Sequence, residues 1–320
     1  MLRHRFTSIS EETRTSQKDI LWDYIRETLF IIPENDAESM RASAILRALK
    51  VPYLHASTQK WGATLDKEWD KIDKSTLSKI RRVSVLEIPG LAKCKGDPIQ
   101  SEENIKNMGL MLDIIDHHYY GWVDRHNSKS SLEQLCERIG WKMDKTDTAL
   151  SVNDRSYIPG LKKMGLTNEE IREIRYFDLL CQGNSATNKK KKFRQAQKKM
   201  KELTRYDREN LWVMNCLTAH SPLIIQELCL LSPDGKSNIL EIRASKIGFS
   251  GEPIVVDRLL ALDIEAAGFG SGYISYGGGD DNQSKFWGLK TKSKEIRIPD
   301  NLKDMILKTI LEVLSSSIKV

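Results

Sequence analysis

The strongest constraint on this chain is a series of short apolar runs, residues 29–32, 51–54, 83–88 and 111–115, spaced by stretches of helical periodicity. A helix with apolar Leu21, Tyr24, Ile25 and Leu29 leads into the first run, and a second, over residues 40–49, leads into the next. Continuous apolar strands separated by helices are buried on both faces, as the strands of a parallel sheet are. The pattern predicts an α/β fold, in which functional groups collect at the carboxyl ends of the strands.

At 320 residues the chain exceeds what one core usually organises, so two domains are expected. Residues 188–206 turn helical, with Phe193, Ala196, Met200 and Leu203 at spacings of three and four opposite a run of lysines. Beyond them residues 211–217, 239–242 and 273–275 read as strands, and an amphipathic helix runs through Leu302, Met305, Ile306, Ile310 and Leu314. The expected division is a first domain over 1–187, a basic connecting helix over 188–208, and a smaller α/β domain over 209–320.

Net charge is +6, but ten Lys and Arg stand against three acids between Gly183 and Asn210, so this segment holds +7 and the rest sums to −1. A uniformly basic nucleic-acid coat is thereby excluded. The run Lys189, Lys190, Lys191, Lys192 has two readings: it tracks a nucleic-acid backbone, or it is a solvated face that keeps the helix soluble. The longest charge-free stretch, 211–226, is too short and too polar to span a bilayer. The N-terminus carries no apolar secretory segment, and the five cysteines form no CxxC pair. A cytoplasmic protein without membrane contact is the expectation.

Asp116-His117-His118 directly follows the run that ends at Ile115. Carboxylate and imidazole at a strand end are donors for a divalent transition metal or Mn²⁺; the other reading is a polar turn whose histidines only hydrogen-bond. Around it stand FIIPENDAESMRASAIL (30–46), a strand, an acidic turn and a helix that opens with small residues, and VSVLEIPG (83–90), a strand ending in Glu87. SVNDRSYIPGL (151–161) presents Asp154 in what reads as a polar loop. Further on lie ILEIRAS (239–245), with Arg243, and ISYGGGDDNQSKFWG (274–288), with Gly277, Gly278 and Gly279. Those glycines either let backbone amides approach a phosphate or serve a tight turn, and Asp280-Asp281 beside them repel an anion.

In this order the motifs resemble the DHH phosphoesterase superfamily, which includes RecJ-type exonucleases, oligoribonucleases, pyrophosphatases and cyclic-dinucleotide phosphodiesterases. The resemblance implies a DHH-type first domain and a substrate-binding second one. It also implies two ions, Mn²⁺ or Mg²⁺, held by Glu34, Asp36, Glu38, Glu87, Asp116, His117 and Asp154. Asp116, His117 and His118 would be the catalytic triplet, with His118 orienting a ligand or touching the phosphate. Arg243 and Gly277, Gly278 and Gly279 would hold the substrate. The departures matter: Glu34 stands where the family has histidine, Glu38 and Glu87 stand for aspartates, and Asp280 follows the glycines in place of histidine. Each longer side chain displaces its oxygens by about 1 Å, more than metal distances tolerate without compensation. Either the site is re-spaced around the longer arms, or it has lost its metals. The expected function is a divalent-metal-dependent phosphodiesterase acting on nucleotides, oligonucleotides or cyclic dinucleotides. The other reading is a catalytically degenerate protein that binds nucleotide or single-stranded nucleic acid or serves as a subunit of an assembly. A homodimer is left open.

Overall fold

The computed structural model describes residues 2–15, 17, 19–59, 62–92, 96–118, 120, 123–183, 189–215, 221–262, 272–278, 285–293 and 295–317. The chain forms two compact units, one of Met1–Asp154 with Glu173–Ser185, the other of Arg155–Arg172 with Ala186–Val320.

The first unit contains α1 (Leu2–Thr7), α2 (Glu11–Thr15), α3 (Trp22–Arg26), β1 (Thr28–Ile32), α4 (Ala37–Ala48), β2 (Leu54–Ala56), α5 (Leu65–Trp69), α6 (Lys74–Leu77), β3 (Arg82–Leu86), α7 (Gln100–Asn107), β4 (Met111–Ile115) and α8 (Ser131–Ile139). Helix α9 (Lys145–Lys163) leaves it after Asp154, and α10 (Asn168–Cys181) re-enters it at Glu173. Its four strands pair in the order β2-β1-β3-β4, every pair parallel, with Phe30 opposite Leu54, Thr28 opposite Arg82 and Ser84 opposite Asp113.

Alternation along the strands buries both faces. Leu29, Ile31, Val83 and Val85 pack with Leu65, Ile80, Ile88 and Ile105 on one side, and Phe30, Ile32 and Leu86 are buried on the other. The order has a functional consequence. From β1 the chain steps outward to β2, then crosses back over β1 to β3. Strand order therefore reverses between β1 and β3, and it is at the carboxyl ends beside such a reversal that open parallel sheets bind their ligands.

Helix α4 is buried on all sides from Ala37 to Leu46. Its small residues Ala42, Ser43 and Ala44 permit this. Asp36 caps it, its carboxylate accepting from the Ser39 amide at 2.8 Å. Within it Arg41 donates to Asp147 (2.6 Å), Asp144 (3.1 Å) and the carbonyls of Phe6 and Ser8, joining α1, α4 and α9.

The second unit contains α11 (Lys189–Met200), β5 (Thr204–Tyr206), β6 (Leu211–Asn215), α12 (Ser221–Leu231), β7 (Asn238–Ile242), β8 (Lys246–Gly251), α13 (Pro253–Leu260), β9 (Gly272–Gly278), β10 (Lys285–Thr291) and α14 (Asp300–Ser317). Its six strands run β5-β6-β7-β8-β10-β9; β6 and β7 are parallel and the other neighbours antiparallel. Leu240, Phe249 and Trp287 lie side by side in register and form a core with Val256, Leu259, Leu302, Ile306 and Ile310. No helix among the described residues is long and apolar enough to cross a membrane.

Three expectations change. The basic helix ends at Met200, and Thr204–Tyr206 are an edge strand on β6. Residues 151–161 are helical rather than a polar loop, with Ser151 and Asn153 buried and Asn153 accepting from Arg175. The helix kinks at Tyr157 (φ 53°), two residues before Pro159. Gly277 and Gly278 lie in β9, opposite Phe286 and Lys285 of β10, because the antiparallel ladder holds them extended at the sheet edge. Gly279 and Asp280 lie outside the described residues.

Candidate metal centre

Three of the four strand ends of the first unit, together with α9, deliver the site. After β1 the chain turns through Glu34 into α4, and after β3 it turns through Glu87; both residues are in the left-handed region, at φ 49° and 48°. This backbone is costly for a residue with a side chain and is held by its surroundings. At Glu87 the amide donates to the Ile115 carbonyl at 3.0 Å, anchoring the turn to β4.

Asp116 organises the turn after β4. Its Oδ1 accepts from the amides of His117 (2.8 Å) and His118 (2.9 Å) and from His118 Nδ1 (3.0 Å), its Oδ2 accepts from Tyr120 (2.9 Å), and its carbonyl from Gln134 (2.9 Å). With both carboxylate oxygens so used, the turn brings the His117 ring to the acids that follow the other strands. His117 Nε2 lies 2.7 Å from Asp154 Oδ2, 3.4 Å from Glu87 Oε1 and 4.0 Å from Glu38 Oε2. Ligand atoms of these four residues lie within 4.8 Å of one another, and Glu87, His117 and His118 form a second such group.

Glu38 stands on the first turn of α4, and its Oε1 accepts from the Leu132 amide at 2.8 Å, an N-terminal donor of α8. The remaining atoms decide what the cluster is for. Glu38 Oε2, Glu87 Oε1, His117 Nε2 and Asp154 Oδ2 are all buried with no hydrogen bond. The 2.7 Å approach of His117 to Asp154 has the length of an ion pair but not hydrogen-bond geometry. Buried polar atoms without partners are rare and costly. Four atoms without a hydrogen bond gathered within 4.8 Å, three carboxylate oxygens and one imidazole nitrogen at ion-pair distance from two of them, make the donor set of a divalent cation, with the carboxylates favouring a hard ion.

Electrostatics agree. Burial, then repulsion from Asp154 and Glu87, holds Glu38 well above the usual carboxylate range. Burial and the same two acids raise Asp36 as well. For His117 burial favours the neutral ring, but Asp154 and Glu87 outweigh it and push the pKa up to about 12. His118, opposed by burial and favoured by Asp116, is raised to about 9. Acids crowded about one protonated imidazole are what a metal site looks like when protons stand in for the ion.

Of the residues singled out in the sequence, Glu38, Glu87, His117 and Asp154 converge. His118 packs against His117 with the rings tilted by 45° and their centroids 4.4 Å apart, at the more exposed rim. Asp36 is engaged as the α4 cap, and Glu34 turns away to pair with Arg47. In the second unit Arg243 is paired with Glu241. Side chains of Lys189–Lys192 and Gly279 lie outside the described residues.

Asp178 of α10 was not singled out. It is buried, and its Oδ1 accepts from the Ala37 amide at 3.2 Å. The one signal it offers in the sequence is an acid between Phe177 and Leu179, both buried.

No protein-family model matches this chain, and no curated protein does. Among solved structures it is similar to RecJ from Thermus thermophilus in complex with Mn²⁺, at 10% identity and TM-score 0.46, over 98% of this chain and 55% of that one. For RecJ from the same organism in complex with Mg²⁺ the values are 11% identity, TM-score 0.37, 98% and 52%. The chain thus spans about half the length of these proteins.

Proposed function

We propose that Glu38, Glu87, His117 and Asp154 bind a divalent cation, Mn²⁺ or Mg²⁺, and that the protein hydrolyses phosphodiesters of the nucleotide, oligonucleotide or cyclic-dinucleotide class. The observation that carries the reading is the set of four buried, unbonded donor atoms facing one another at the strand-order reversal of a parallel sheet. Glu87 and His117 belong to both possible ligand groups, so a second ion, completed by His118, fits the same residues.

A bound ion would supply an activated water and neutralise charge on a phosphoryl oxygen. The chain's own residues do the rest. Asp116 holds the turn so that both imidazoles are presented, and the α8 amide fixes one oxygen of Glu38 so that the other points inward. Where no second ion is bound, His118, opposed by burial but raised to about 9 by Asp116, is the group assigned to donate to a substrate oxygen. In the second unit we assign Arg243 and the 277–279 glycines to the substrate phosphate, which must compete with Glu241 for the guanidinium. Lys189, Lys190, Lys191 and Lys192 are assigned to a single-stranded nucleic acid.

One observation favours the second reading, a metal-binding protein that does not turn over: Glu34, Asp36 and Asp116 are engaged elsewhere, leaving four converging ligands rather than seven. Calorimetric titration of Mn²⁺ with wild type and His117→Ala, followed by hydrolysis of bis(p-nitrophenyl) phosphate and a dinucleotide, separates them. The proposal expects binding and hydrolysis in wild type and neither in His117→Ala. Binding without hydrolysis establishes the second reading, and no binding at millimolar Mn²⁺ overturns both.

A further inference from the structure

We infer that Asp178, Arg175 and Asn153 form a buried relay that sets the spacing between the Glu38 and Asp154 carboxylates. The relay rests on the metal-site reading above and consists of residues outside the ligand set.

The ligands come from separate segments. Glu38 stands in the first turn of α4, whereas Asp154 stands at the point where α9 leaves the first unit. A site built from a helix start and a departing helix needs something to hold the two together, since ligand positions must be kept to within about 0.2 Å. Helix α10, on its return, supplies it. Asp178 Oδ1 accepts from the amide of Ala37, the residue before Glu38, at 3.2 Å. Its Oδ2 accepts from Arg175 Nη1 at 2.8 Å. The same Nη1 donates to Asn153 Oδ1, on the residue before Asp154, at 2.9 Å. Each end of the relay thus grips the chain one residue from a ligand, and all three side chains belong to residues at most 8% exposed.

A plain helix cap would not need this chemistry. Asp36 already caps α4, and a second acid placed among Asp36, Glu38, Glu87 and Asp154 adds repulsion that the Arg175 partner offsets. A neutral cap would avoid the repulsion but could not grip as firmly the guanidinium that reaches Asn153. Charge-assisted bonds of this kind are short and directional, which suits a spacer.

The test uses the full chain and Mn²⁺. Asn153→Ala removes one end of the relay, and Asp178→Asn keeps the cap on Ala37 while weakening the grip on Arg175. Gln182→Ala is the control: it removes another bond to Asp178 (3.0 Å) without reaching either ligand segment. Melting temperature in EDTA and Mn²⁺ affinity by calorimetry are measured on each. Partners outside the ligand set typically govern affinity by about 10–100-fold. Asn153→Ala and Asp178→Asn are therefore expected to weaken Mn²⁺ binding by that factor, and Gln182→Ala by less than about twofold, at comparable changes in melting temperature. The two relay losses belong to one unit: with Asn153→Ala already present, Asp178→Asn should add little. If wild type binds Mn²⁺ and both relay variants bind it equally well, the relay is overturned and the metal site stands. If wild type does not bind, the relay falls with the site.

Discussion

Glu38 divides its carboxylate between two tasks. Oε1 holds the α8 amide, and Oε2 faces the cluster without a hydrogen bond. The division explains why a glutamate suits this position. Shortening it to aspartate pulls both oxygens back by about 1 Å, so Glu38→Asp is expected to lose either the amide or the ion and to weaken Mn²⁺ binding about 10–100-fold by calorimetry. Glu38→Gln separates function from stability. A carboxyl raised in the folded state binds more protons than in the unfolded chain, so its contribution falls as pH climbs from about 4.3 toward the folded value. At pH 7 in EDTA the glutamine variant, which keeps an oxygen for Leu132, should melt higher than wild type, by about 2–4 °C per kcal/mol recovered. Adding Mn²⁺ should reverse the order. The protons held by Glu38 and His117 must leave when a metal enters. Affinity is therefore expected to rise from pH 6 to pH 8, and the binding enthalpy to vary with the ionisation enthalpy of the buffer. A buffer-independent enthalpy would contradict this.

At the scale of elements, three strands of the first unit were legible, because continuous apolar runs between helices leave few alternatives, and residues 111–115 are β4 as read; the run 51–54 was not the strand, which begins only at Leu54. The exits of the strands were not legible. Nothing in the residue types at Glu34 and Glu87 marks a left-handed turn, which arises from the sheet and the helix that follow it. The two turns share a backbone and differ in destination, one side chain pairing with Arg47 and the other entering the cluster. Glycine at either relieves the strained backbone. Glu34→Gly should therefore keep its melting temperature and its Mn²⁺ affinity, whereas Glu87→Gly should keep the fold and lose the metal. Loss of Mn²⁺ binding in Glu34→Gly would return that residue to the ligand set. Asp154 was legible as a candidate acid but not as helical, since the burial of Ser151 and Asn153 comes from elsewhere in the fold. Asp178 was hidden for the same reason: its role depends on a helix that leaves the unit and returns.

Over the whole molecule, charge is concentrated rather than spread, with residues 183–210 carrying +7 and the remainder summing to −1. The second unit carries that segment on α11, whose Arg194 and Lys198 are exposed. Replacing Lys189, Lys190, Lys191 and Lys192 with Gln should flatten log affinity for single-stranded oligonucleotide against log salt by up to about 2.8, at unchanged Mn²⁺ affinity. An unchanged slope would assign the run to solvation. The parallel sheet of the first unit and the α/β character of the second followed from apolar periodicity, but the mixed pairing of the second sheet did not, and β8 and β10 were missed because glycine and lysine interrupt their alternation. What unites the scales is the single cluster at the strand-order reversal, and its occupancy is the central claim. A crystal soaked in Mn²⁺ and measured at the manganese absorption edge tests it directly. An anomalous peak is predicted within about 2.0–2.6 Å of Glu38 Oε2, Glu87 Oε1, His117 Nε2 and Asp154 Oδ2. No peak there at saturating Mn²⁺, with the four side chains still facing one another, would contradict it.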